Sequence, residues 1–136
     1  MKIQMIILFL PLLIGANEKI KKAELTGKHW AGNCNDMTCD TMNYEAFKKY
    51  DPKRYQWGGY AEGIEFHEDG SAQEYQNIMC SDESNPISSF PSKWKWQGKD
   101  TLIVEGYYAI TKYKVLALSN KILKMNVLDL KTKEIK

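Results

Sequence analysis

From Tyr60 onward, apolar positions recur at every second residue in short runs separated by turn-forming residues. Tyr60, Ile64 and Phe66 share one face of an extended segment, and Glu68-Asp69-Gly70 supplies a tight turn into a second run from Ala72 to Met79. Period-two patterning on both sides of such a turn predicts a β-hairpin. Lys93-Trp94-Lys95-Trp96-Gln97 alternates strictly, placing both tryptophans on one face and both lysines on the other. Gly98-Lys99-Asp100 turns the chain into Thr101–Glu105, a further run occupies Tyr113–Leu118, and Ser119-Asn120-Lys121 leads to Leu123, Met125 and Val127 alternating with Lys124 and Asn126. Ser81 to Pro91 reads as a loop, with Pro86 and Pro91 within it. One segment has a different period. Tyr44, Phe47 and Tyr50 recur every three residues, Asn43 is a suitable N-cap, Glu45 complements the first turn and Asp51-Pro52 stops the run, which predicts one short N-terminal helix. Upstream, Leu25 to Trp30 predicts a first strand, followed by the polar loop Gly32-Asn33-Cys34-Asn35-Asp36.

Turn signals spaced about 8–12 residues apart predict an all-β fold, a single antiparallel up-and-down barrel of about eight strands with that one helix. Closure removes the unpaired edges that an open sheet of this length would present.

Residues 1–16 break the pattern. Lys2 precedes an apolar run, Ile3 to Ile14, interrupted by Gln4 and Pro11, and Gly15-Ala16 offers small residues for cleavage. This predicts a signal peptide at 1–16, a barrel domain at 17–130 and a tail at 131–136. About 20 apolar residues are needed to span a bilayer, and Asn17-Glu18-Lys19 arrives too soon, so no membrane span is expected after cleavage. The protein is therefore expected to be secreted or periplasmic. About 120 residues remain, enough for one core. With 19 basic and 17 acidic side chains there is no global field to attract nucleic acid. Cys34, Cys39 and Cys80 in an oxidising compartment predict one disulfide and one leftover thiol, with the pairing open.

Trp94 to Val104 followed by Tyr113 to Ser119, together with the Phe66 to Gly70 hairpin, resembles the small lipocalin-like (calycin-type) proteins that bacteria export. The resemblance covers Gly27 to about Leu130 and implies an eight-stranded barrel. Lipocalins proper carry Gly-x-Trp in the first strand and a late arginine. Here the spacing is Gly27-Lys28-His29-Trp30, and Arg54 is the one arginine.

Three constellations could carry chemistry. Trp57, Tyr60, Trp94 and Trp96 offer flat aromatic faces for a small apolar ligand, with plain core packing as the competing role. Cys34-x-x-Met37-x-Cys39-x-x-Met42 collects soft sulfur ligands that would suit Cu(I), but a disulfide would consume the thiols. Glu65, His67, Glu68 and Asp69 could face a divalent ion, but alternation puts Glu65 and His67 opposite Ile64 and Phe66, where a solvated face belongs. No metal site, cofactor or catalytic constellation is assigned, and the chain is not expected to be an enzyme. The expected function is a binding module for a small apolar ligand or a secreted protein. The working end would lie near the Cys34 to Trp57 segment and the Ser81 to Pro91 loop. An envelope interaction protein or inhibitor with a solid core is the alternative.

Overall fold

The computed structural model describes residues 22–34, 39–56, 59–77 and 87–134. They form strands β1 (His29–Cys34), β2 (Thr41–Phe47), β3 (Glu62–Phe66), β4 (Ser71–Asn77), β5 (Ile87–Gln97), β6 (Thr101–Glu105), β7 (Ala109–Leu118) and β8 (Ile122–Thr132). Each pairs antiparallel with two neighbours, and the ring closes in the order β1-β2-β8-β7-β6-β5-β4-β3. The closed, eight-stranded antiparallel barrel expected from the turn spacing is present. The hairpin pairing Phe66 with Ala72 is the one read from Glu68-Asp69-Gly70.

The order of strands is not that of a plain up-and-down meander. β1 lies between β2 and β3, with Trp30 opposite Ala46 on one side and Ile64 on the other. β2 and β3 therefore run in the same direction, and no tight turn can join such strands. The chain crosses the outside of β1 between β2 and β3, and residues 48–56 and 59–61 are the described part of this crossing. A 3-10 turn, Pro52–Tyr55, sits in this crossing, with Asp51 accepting a hydrogen bond from the Lys53 N–H at 3.0 Å and Pro52 at a first-turn position that needs no donor.

The helix expected over Asn43 to Tyr50 is a strand instead. Met42 and Tyr44 point into the core, an alternation of period two that coexists in this stretch with the period-three set Tyr44, Phe47 and Tyr50. Backbone pairing with β1 and β8 on both edges satisfies donors and acceptors that a two-turn helix would leave largely to solvent, and this outweighs the local capping signals. Among the described residues, α-helix is confined to 22–25, ahead of β1. Other boundaries move as well: β1 spans His29–Cys34 and so takes in part of the expected Gly32 to Asp36 loop, β5 begins inside the expected loop and runs through Pro91, β7 begins at Ala109, and β8 extends to Thr132.

One end of the barrel is plugged. Leu25, Trp30, Phe66, Leu102, Leu123 and Met125 are essentially fully buried, and Trp94 packs edge-on against Phe66 with ring centroids 5.3 Å apart. Burying each such side chain contributes about 1.5–3 kcal/mol. The indole N–H of Trp30 donates to the Leu25 carbonyl at 2.9 Å, tying residues 22–25 across this end. The β3–β4, β5–β6 and β7–β8 turns also lie here. At the opposite end β1 and β4 finish, β2 and β5 begin, and the β6–β7 turn lies. There Cys34 and Cys39 form a disulfide, while Cys80 lies outside the described residues. Among the described residues, no helix is long and apolar enough to cross a membrane.

Candidate functional site in the barrel interior

Above the plug, the inward-facing positions change character. Glu62 on β3 and Glu74 on β4 follow the same alternation as Ile64, Phe66 and Ala72, so both carboxyls point into the barrel. Tyr44, Gly32 and Glu62 lie side by side across β2, β1 and β3. Because Gly32 has no side chain, the Tyr44 ring passes directly over it: a Cβ there would lie 2.6 Å from the ring. The Tyr44 hydroxyl reaches Glu62 and hydrogen-bonds to it. Tyr113 enters the same group from β7, bonded to Thr111.

Burial pushes the Glu62 carboxyl above the usual range, partly opposed by the Tyr44 hydrogen bond. Burial likewise raises Glu74, and the charge of Glu62 raises it further. No lysine or arginine among the described residues pulls either back down. Burial, with the nearby acids, also holds the Tyr44 and Tyr113 phenols protonated far above neutrality.

A carboxyl whose folded-state pKa is raised favours folding most when it is protonated. That favour is lost as pH rises through the folded value. Glu74→Gln is therefore expected to stabilise the protein by about 1–2 kcal/mol at pH 8 and by little at pH 4. Urea midpoints of the two proteins at both pH values would check this, and a loss of stability at pH 8 would contradict it.

Two further features adjoin these acids. Glu74 Oε2 lies so close to Gly106 that a Cβ there would be 2.5 Å away. Ser92, 7% exposed, faces inward next to Ala72, and its hydroxyl has no hydrogen-bond partner among the described residues. At the rim, Phe90 lies directly opposite Glu74 and packs with Tyr107 and Tyr108 at 6.2 and 5.6 Å between ring centroids. Tyr107 and Tyr108 are about half exposed.

A second polar cluster lies on the outer face, beneath the crossing segment. His29 is fully buried. Its Nδ1–H donates to Glu65 Oε2 at 2.7 Å, and its Nε2 accepts from the Tyr55 hydroxyl. Tyr75 also hydrogen-bonds to Glu65; burial and that carboxylate push its phenol up to about 12. Tyr50 stacks on Tyr75 at 4.7 Å. Gly63 leaves the space that the Tyr55 hydroxyl occupies. Desolvation lowers the His29 pKa, against the opposing pull of Glu65. Glu65 does face outward, as alternation requires, but the crossing covers it, so it partners His29 while His67 is exposed. The cleft beside this cluster, lined by Lys28, Lys48, Lys49 and His67 among others, holds about 180 Å³. Small-molecule sites usually start near 300 Å³.

The four aromatic residues singled out from sequence do not form one surface. Trp94 is part of the plug, its indole N–H donating to the His67 carbonyl at 2.8 Å, and Trp96 packs against the same core. Tyr60 lies on the outside, bonded to Glu45 at 2.6 Å and packed on Phe47. Trp57 lies outside the described residues. Of the sulfur ligands, Cys34 and Cys39 are bonded to each other, and Met42 pairs with Met125 in the core. Glu62, Glu74, Tyr44 and Ser92 were not picked out from the sequence, although the strand phase that places Ile64 and Phe66 inside also places Glu62 inside. No protein-family profile, curated protein or solved structure matches the chain.

Proposed function

We propose that this chain is a lipocalin-like binding module, secreted or periplasmic after loss of residues 1–16, that takes a small molecule into the barrel through the end opposite the plug. The pair Glu62 and Glu74 carries this reading. Two carboxyls turned into a barrel without a basic partner among the described residues oppose folding, and such groups persist where a site needs them. Barrels of eight strands either fill their interior with side chains or hold one small ligand, and the inward acids favour the second use here. Binding is favoured over turnover because His29, the buried histidine, is enclosed on the other face of the sheet, away from these acids.

Native mass spectrometry of protein purified from its own compartment, repeated after denaturation, tests the reading. Extra mass that disappears on denaturation is expected. Bare mass in both spectra, with no shift in thermal midpoint across a panel of lipids, amines and sugars, would overturn it.

One observation favours a protein partner instead. No described strand pairs with Leu128–Thr132 on the side away from β7, and Ile110, Leu128 and Leu130 are 37–54% exposed there. A protein retained in the native spectrum would support that alternative.

A further inference from the structure

The geometry points to a small organic ammonium ion as the ligand, its charged nitrogen held between Glu62 and Glu74 beside the Ser92 hydroxyl and its apolar body packed under Phe90, Tyr107 and Tyr108. This rests on the binding reading above and names the chemistry of the molecule bound.

Three independent features converge on that class. The first is charge: the interior offers two carboxyls, and neither has a basic partner among the described residues. The second is the Ser92 hydroxyl, buried and unpartnered among the described residues, which comes from the strand between β4, carrying Glu74, and β6, which leads into Gly106. An ammonium N–H can donate to this oxygen and to both carboxylates, so one group would satisfy all three acceptors. The third is the rim. Phe90 sits opposite Glu74, and Tyr107 follows Gly106, against which the Glu74 carboxylate rests. The aromatic faces and the acids are therefore adjacent, and a cation beneath aromatic rings gains from their quadrupoles.

Other occupants fit less well. Calcium takes six to eight oxygen ligands, and among the described residues no group of three or more acidic, histidine or cysteine side chains could hold a metal ion. A neutral apolar ligand would leave the charge of both carboxyls uncompensated and give the Ser92 hydroxyl no partner. An anion would meet two acids.

Isothermal titration calorimetry on the whole folded chain at pH 7.5, with 2-phenylethylamine, 2-phenylethanol, phenylacetate and calcium chloride as probes, tests this. The amine is expected to bind at least about tenfold more tightly than the alcohol, the scale of one charge-assisted hydrogen bond. Phenylacetate is expected not to bind. The amine affinity is expected to fall as the pH is lowered toward the raised range of the two carboxyls, whose protonated forms no longer attract the ammonium. Glu74→Gln should weaken the amine about tenfold and leave the alcohol unchanged, and Tyr107→Ala with Tyr108→Ala should weaken both. Circular dichroism establishes that each variant is folded. Equal affinity for amine and alcohol, or an amine affinity indifferent to Glu62→Gln and Glu74→Gln, would overturn the ammonium proposal and leave the binding barrel standing. Calcium binding that these variants abolish would also overturn it. If no probe binds, the proposal fails, and a bare native mass would then remove the binding reading as well.

Discussion

Trp30→Ala is expected to destabilise the barrel by about 3–5 kcal/mol, the range for removing a fully buried large aromatic ring. The thermal midpoint should fall by about 10–20 °C. The ring occupies the centre of the plug, and its indole N–H holds the Leu25 carbonyl, so the substitution leaves both a void and a loose cap over that end. Trp30→Phe should recover much of the packing without the hydrogen bond. Urea unfolding followed by far-UV circular dichroism would rank the three proteins. A cost below about 1 kcal/mol for the alanine variant would mean that the end is not sealed as described.

The second large effect concerns acid. His29 is held uncharged by burial, so its folded pKa lies below the unfolded value near 6.5. The unfolded chain then takes up the proton first, and stability falls as pH drops below about 6.5. Glu62 and Glu74 act in the opposite sense, since their raised folded values favour the native state as pH falls. Removing His29 should separate the two. His29→Ala leaves the Tyr55 hydroxyl and Glu65 without their shared partner and removes ring contacts with Tyr50, Tyr55 and Tyr75, at a cost of roughly 2–4 kcal/mol at pH 7.5. The deficit relative to the parent should shrink between pH 7 and pH 5, because the variant no longer has a histidine there to charge. Denaturant midpoints across that interval provide the check, and a widening deficit would reverse the assignment of His29 as neutral.

The elements legible in the sequence are those whose pairing is local. The β3–β4 and β5–β6 hairpins are set by Gly70 and Gly98, which adopt positive φ in turns flanked by alternating strands. What lay hidden depends on residues distant in the chain. β2 is a strand because β1 and β8 flank it, and local capping at Asn43 carries no trace of β8. The crossing over β1 follows from the pairing of Trp30 with Ile64, which no local signal encodes. The same crossing converts Glu65 from a solvated surface residue into the partner of His29, 36 positions away. Of the candidate site, the inward phase of Glu62 was readable from Ile64 and Phe66. That Glu74 and Tyr44 meet it required the ring to close.

The polypeptide enters the described barrel at its sealed floor and leaves it beside the rim, where the Lys133 N–H donates to the Tyr108 carbonyl at 2.7 Å. The two ends are thus unequal as attachment points. A fluorophore on a cysteine placed at Glu134 would sit next to Tyr108 and report on anything that enters, whereas the same dye at Lys22 would be screened by the whole plug. For immobilisation the order reverses: a surface linkage through the residues before β1 leaves the rim facing solution, and one through the residues after β8 turns it toward the support.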